Sequence, residues 1–150
     1  MIEVRKAERS DIETMARFQV AMAAETEDVE LSFDTLCEGM ESVYDNPSRG
    51  EYYVAEYEGR VVGSLMITYE WSEWRNKNIY WIQSVYVVPE ARGMGIYKSL
   101  YEHVKIQVEK DPALGGIRLY VHNSNTNAQK VYSKLGMSGE SYRIFEWMKD

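Results

Sequence analysis

A mixed α/β fold, with helices flanking one central sheet, is what this sequence predicts, and three patterns carry the expectation. Apolar residues recur at helical spacing in four separate stretches; aromatic and β-branched runs follow one another between Tyr52 and Val88 with turn chemistry between them; and a strand, a glycine loop, a helix and a further strand succeed each other from Ile79 to Val121. No repeat and no low-complexity linker divides these patterns, so a single domain over residues 1–150 is expected.

Taken in order, Ile2–Lys6 alternates apolar and polar as a short strand does, and Ser10 with Glu13 three residues on offers the cap of a first helix. Ile12, Met15, Ala16, Gln19 and Met22 form its apolar stripe. The stripe dissolves at Ala24-Glu25-Thr26-Glu27-Asp28, which is expected as an acidic loop. Ser32 caps the next helix, where Phe33, Leu36, Cys37, Met40, Val43 and Tyr44 keep the i, i+3, i+4, i+7 spacing until Asn46-Pro47 stops it. Strands at Tyr52–Tyr57, Arg60–Tyr69 and Ile79–Val88 form an antiparallel meander through Glu58-Gly59 and Arg75-Asn76-Lys77-Asn78.

A third helix begins at Gly95 and ends near Asp111-Pro112, with Ile96, Leu100, Val104 and Val108 on one stripe and Tyr97 and Tyr101 beside it. After Gly115-Gly116, Ile117–Val121 reads as a strand that the intervening helix allows to run parallel to Ile79–Val88. A fourth helix from about Thr126 to Leu135, capped by Asn125 and ended by Gly136, and a last strand at Tyr142–Met148 complete the chain. The order is β-α-α-β-β-β-α-β-α-β, with about 6–7 strands in the sheet and about four helices.

Composition bounds the function. A net charge of −7 argues against binding a phosphate backbone, so no nucleic acid is expected, and favours cationic small molecules or basic peptides. Cys37, the one cysteine, excludes an internal disulfide; it sits on an apolar stripe and reads as a small core residue, with a nucleophile as the alternative. His103 and His122 cannot make a zinc site alone, so no metal is expected. The start of the chain has no apolar export segment and no run is long enough to span a membrane, which leaves a cytoplasmic protein as the expectation.

The chemistry concentrates in Val85–Leu100. A helix start fed by glycines leaves main-chain N–H groups pointing together, and the helix dipole favours an anion there. Gly93 and Gly95 permit the turn and a close approach of backbone to phosphate. Arg92-Gly93-Met94-Gly95-Ile96-Tyr97 resembles the Q/R-x-x-G-x-G/A acyl-CoA loop of the GNAT superfamily of N-acetyltransferases, with Tyr97 where that family prefers Gly or Ala. Downstream, Asn125-x-x-Ala128-x-x-x-Tyr132-x-x-Leu135-Gly136-Met137 is similar to the family's second signature, with Met137 in place of Phe. A P-loop ending in Gly-Lys-Ser fails, since Arg92 and Tyr97 stand where it needs glycines, and the G-x-G-x-x-G dinucleotide pattern is likewise absent.

The resemblance implies a GNAT-type sheet and acetyl-CoA, or another short acyl-CoA, as cosubstrate. It implies that Val85, Tyr86 and Val87 pair with the pantetheine arm. The N–H groups of Met94, Gly95, Ile96, Tyr97 and Lys98 would hold the pyrophosphate, with Arg92 and Gly93 at its side and Asn125 on the arm. Tyr132 would be the general acid; core packing is its alternative. The implied reaction moves an acetyl group to a primary amine of a small molecule or peptide by direct attack, and a non-catalytic acyl-CoA sensor or interaction module is the alternative. A homodimer through Tyr142–Met148 is also implied.

Many relatives carry a glutamate base where Gln83 stands, and an amide cannot serve as one. Glu25, Glu27, Asp28, Glu70 and Glu73 are the remaining carboxylates, acting through water. Glu70, Trp71, Glu73 and Trp74 form an aromatic, acidic patch at the hairpin end that could receive an ammonium group, or could merely pack there.

Overall fold

The computed structural model describes residues 1–149. The chain divides into two compact units, Met1–Leu119 and Tyr120–Asp150. The first holds a five-stranded sheet in the order β1-β2-β3-β4-β5, made of β1 (Ile2–Lys6), β2 (Glu51–Tyr57), β3 (Arg60–Ser72), β4 (Lys77–Val87) and β5 (Leu114–Leu119). All neighbours are antiparallel except β4 and β5, which run parallel with Ile82 opposite Leu119.

The sheet is filled from both faces. Alternation puts Tyr52, Val54 and Met66 on one face, where they pack with Met15, Ala16, Met40 and Val43 of α1 (Ile12–Glu27) and α2 (Phe33–Asp45). Cys37 joins that cluster as a partly buried hydrophobe. Residues of the other alternation, such as Tyr53, meet α3 (Ile96–Lys110): the Tyr53 ring lies 5.3 Å from His103, and its hydroxyl bonds Gln107 at 3.2 Å.

Local signals set most of the boundaries. Ser32 caps α2 by accepting from the Thr35 N–H at 3.2 Å, and the Glu58-Gly59 turn has both residues at positive φ, 52° and 76°, as a two-residue hairpin turn demands. The α1 start differs from expectation. A 3₁₀ turn, Arg9–Asp11, precedes the helix, and the reciprocal cap is Glu8 with Asp11 rather than Ser10. Arg5 anchors that Asp11 from β1 at 2.8 and 3.0 Å, a contact that sequence spacing does not reveal.

The end of α1 also differs. Residues 24–27 are helical and not a loop, and Asp28 at φ 52° terminates the helix. The apolar stripe ends where α1 leaves the core, but Ala and Glu are good helix formers and continue the backbone bonds without it. Strand β5 starts three residues early, through Gly115 and Gly116, because the pairing with β4 needs little space there: a Cβ on Gly115 would lie 3.2 Å from Ile79 Cδ1.

The second unit carries α4 (Thr126–Lys134), capped by Asn125 Oδ1 accepting from the Ala128 N–H at 3.2 Å and followed by Gly136 at φ 90°. The strand expected at Tyr142–Met148 does not form, so the described sheet has five strands and not six or seven. Alternation equips that segment with two faces, but a strand exists only through a main-chain ladder, which is not formed there among the described residues. Phe145 and Trp147 stand 93% and 87% exposed.

Candidate active site

The strand that leads into the glycine loop is open on one side. β5 accompanies β4 only as far as Ile82, while β4 continues to Val87. The Val88 N–H bonds the Val62 carbonyl at 2.9 Å, so by alternation the main chain of Tyr86 also faces β3, and that of Val87 faces the open side. This removes Tyr86 from the main-chain groups available to a ligand. Its side chain is used elsewhere, since the ring lies 5.3 Å from Phe18 of α1 and the hydroxyl donates to Glu25 Oε1 at 3.1 Å.

Irregularity in β4 lies just before this end. Ser84 and Val85 together face one β3 residue, a bulge marked by a register break and by Ser84 at φ 57°. Gln19 of α1, 5% exposed, donates from Nε2 to the Ser84 carbonyl at 2.8 Å. The sequence places Gln19 on the apolar stripe; a buried amide among Ile12, Met15 and Ala16 is the signal that could have marked it.

After Pro89–Ala91 the chain turns through Gly93 and Gly95, at φ 83° and 84°, into α3. Gly95 supplies no side-chain cap, and the first amide bonded back is that of Ser99, to the Gly95 carbonyl at 3.0 Å. The amides ahead of Ser99 therefore emerge at the helix end with the dipole behind them, and a Cβ on either glycine would meet nothing within 4 Å. That space and polarity fit a pyrophosphate. The Tyr97 ring stacks beside that of Tyr101 on α3, with centroids 6.2 Å apart. Lys98 lies 3.9 Å from Glu102 on the exposed side of the helix.

Arg92 is committed within the chain. Its Nε donates to the Val87 carbonyl at 2.9 Å and its Nη2 to Glu25 Oε2 at 2.8 Å, while the guanidinium sits over the Tyr86 ring at 5.4 Å. Three expected site residues, Glu25, Tyr86 and Arg92, are thus brought together, in a latch between the last turn of α1 and the glycine loop. Burial, then the Glu25 carboxylate, pushes the Tyr86 phenol above its ordinary value.

The hairpin side chains divide between the two faces of β3. β3 runs on to Ser72, so alternation sends Glu70 to the face of Met66 and Trp71 to the opposite one. Glu70 accepts from Trp81 Nε1 at 2.7 Å and from Arg118 Nη1 at 2.9 Å, two partners that no sequence signal marked. Trp71 and Trp74 stand 60% and 87% exposed. Glu27 and Glu73 are exposed, and Gln83 accepts from the Thr68 hydroxyl at 3.1 Å on the Glu70 face.

The Trp81 N–H, and after it Arg118, hold the Glu70 carboxyl below its ordinary value of 4.5. A folded value below the unfolded one adds stability at neutral pH, and that stability is lost as pH falls from about 4.5 through the lowered value. Glu70→Gln is therefore expected to destabilise the protein near pH 7 but hardly at a pH below the lowered value, measured by denaturant unfolding at each. Equal losses at both would sink the ionised contact.

In the second unit, Asn125 spends its oxygen on the α4 cap and retains its amide N–H groups for other partners. Tyr132, in the last turn of α4, is partly buried, and burial raises its phenol above the ordinary value. Among the described residues no three His, Cys, Asp or Glu side chains gather where a metal ion could be held, and no helix is long and apolar enough to cross a membrane.

The chain is similar to known proteins. The sequence model of the acetyltransferase (GNAT) family matches residues 15–137. A possible acetyltransferase from Clostridium difficile 630 superposes with a TM-score of 0.90 at 40% identity, covering 99% of this chain and 97% of that one. A predicted acetyltransferase from Clostridium acetobutylicum, crystallised with acetyl-CoA, has the same fold at 18% identity and a TM-score of 0.76, covering 97% of this chain and 96% of that one. Thialysine N-epsilon-acetyltransferase of Bos taurus is 36% identical over 76 residues, 51% of this chain and 44% of the bovine protein. The chain spans about half the length of the curated relatives it matches. With most of its residues matched by one family, and its sheet and helices shared nearly end to end at 40% identity, the chain belongs to the GNAT family of acetyltransferases.

Proposed function

We propose that residues 1–150 act as one catalytic domain that transfers an acetyl group from acetyl-CoA to a primary amine of a small cationic molecule or peptide. The observation that carries this reading is the β4 edge left open beyond Ile82, running directly into an uncapped, glycine-fed start of α3. An extended amide-bearing arm suits the first and a pyrophosphate suits the second. When bound, acetyl-CoA supplies an acetyl thioester already activated toward amines.

The chain's own groups do the rest. Val85 and Val87 offer main-chain groups to the arm, and the Val85 N–H polarises the thioester carbonyl. The first-turn amides of α3 hold the pyrophosphate. Arg92 contributes chiefly by fastening the loop, since Glu25 already shares its charge. Tyr132 donates its proton to the departing sulfur; a phenol held above its ordinary value keeps that proton through neutral pH. Glu25 and Glu70 are engaged by Arg92 and Arg118 and Gln83 is an amide, so the acceptor's ammonium proton leaves to water.

The net charge of −7 and the exposed Glu27 and Glu73 support a cationic acceptor. The bovine relative's name makes a small amino acid with a side-chain amine the first one to try. Acetyl-CoA turnover against polyamines, amino acids, aminoglycosides and N-terminal peptides tests the proposal: micromolar acetyl-CoA binding with turnover of at least one amine is expected. Tight binding without turnover of any would leave only the sensor. A cytoplasmic location and a homodimer through 142–148 belong to the same proposal; the exposed Tyr142, Phe145 and Trp147 support the dimer, which sedimentation equilibrium would reveal.

A further inference from the structure

The Gln19–Ser84 bond involves two residues that the proposed reaction does not use. Ser84 is held in β4 at φ 57°, a left-handed conformation unfavourable for any residue with a Cβ, and the register against β3 breaks at the same place. A bulge of this kind persists only if its surroundings determine it. The Ser84 carbonyl is taken by Gln19 Nε2 at 2.8 Å, and Gln19 is 5% exposed, so water does not compete for the bond. Gln19 itself is fixed: Met15 and Ala16 beside it on α1 are 1% and 0% exposed, and Phe18 packs on the Tyr86 ring.

Peptide planarity turns this contact into a functional one. The C=O of Ser84 and the N–H of Val85 belong to the same rigid trans unit and point in opposite directions. A carbonyl drawn toward α1 therefore directs the Val85 N–H away from α1. A donor that stabilises charge on a thioester oxygen must be aimed before the reaction starts, since an error of about 1 Å can cost 10²-fold in rate. We infer that Gln19 is a positioning residue for acetyl transfer: by holding the Ser84–Val85 peptide it aims the Val85 N–H at the thioester carbonyl. This rests on the proposed function, and it adds a residue on α1 to the groups of β4 and the glycine loop.

The test is Gln19→Met, which keeps the length and the apolar contacts of the side chain and removes the donor. Steady-state kinetics on the full chain, normalised to the folded fraction from circular dichroism, should show kcat lowered by about 10–100-fold. KM for acetyl-CoA should stay within about threefold, because the pyrophosphate cradle is untouched. A merely structural Gln19 would lower the unfolding midpoint and leave kcat of the folded molecules within about twofold of wild type, which overturns the inference. A raised KM with unchanged kcat overturns it equally. If Gln19→Met does not fold, Gln19→Leu, which is smaller and likewise has no donor, is read by the same criteria. A wild-type chain that binds no acetyl-CoA and turns over no amine is a different failure, that of the proposed function itself.

Discussion

Tyr132→Phe is expected to lower kcat for acetyl transfer by about 10²-fold while leaving acetyl-CoA binding within a few-fold of wild type. The substitution removes only the phenol oxygen, so the partly buried ring continues to fill its place on α4 and the unfolding midpoint should move little. The loss falls on the departing sulfur. A free thiol has a pKa of about 8.5, so a thiolate expelled without a proton is a poorer leaving group than one protonated as it departs. A donor for that step must still hold its proton at working pH, and burial holds Tyr132 above its ordinary value of 10.0, where it does. Equal falls in kcat and kcat/KM would mark an interaction made only in the transition state. Full retention of kcat would return Tyr132 to the core and leave the cofactor cradle standing.

How far the sequence can be read depends on how local each signal is. The turn from β4 into α3 is legible because Pro89, Gly93 and Gly95 act on their own backbone, and two of them take the positive φ that glycine permits. Ser32 and Asn125 are legible as caps for the same reason: each reaches an amide three residues away. What escapes is non-local. The apolar stripe of α1 stops before the helix does, because a stripe reports burial and not helicity, and on the stripe alone Glu25 falls in a loop. In the fold it is the helical residue that reaches Arg92, 67 positions away.

The acidic aromatic patch divides at one boundary. A strand ending at Tyr69 leaves Glu70 and Trp71 in a turn, where side chains can converge; three more residues of strand send them to opposite faces. The bulge at Ser84 has no sequence mark, since the residue that stabilises it lies on another element. Tyr142–Met148 has the right alternation, yet among the described residues it forms no strand. A face pattern is a property of one segment, whereas pairing is a property of two.

Gly63→Val is expected to destabilise the first unit by about 3 kcal/mol and, with it, to weaken acetyl-CoA binding by about tenfold or more. This glycine differs in kind from Gly95. Gly95 is required by its φ of 84° and a Cβ there would touch nothing, whereas Gly63 is required by close approach. A Cβ at position 63 would lie 2.9 Å from Ile96 Cγ2 and 3.1 Å from the Tyr86 carbonyl. Neither neighbour can yield cheaply. Ile96, 2% exposed, is the first residue of α3, and Tyr86 is locked into the β3–β4 ladder beside Val87 opposite Gly63. Two more methyl groups must therefore lift the first turn of α3 from the sheet or part β3 from β4 at its open end. Either movement displaces the amides proposed to hold the pyrophosphate. Denaturant unfolding measures the first loss and calorimetry with acetyl-CoA the second. Ile96→Ala in the Gly63→Val background should recover part of the stability by returning space, and a double-mutant cycle then reads a coupling of about 1 kcal/mol or more. Stability of Gly63→Val within about 0.5 kcal/mol of wild type would show that α3 is free to move, and the cradle would then owe nothing to this packing.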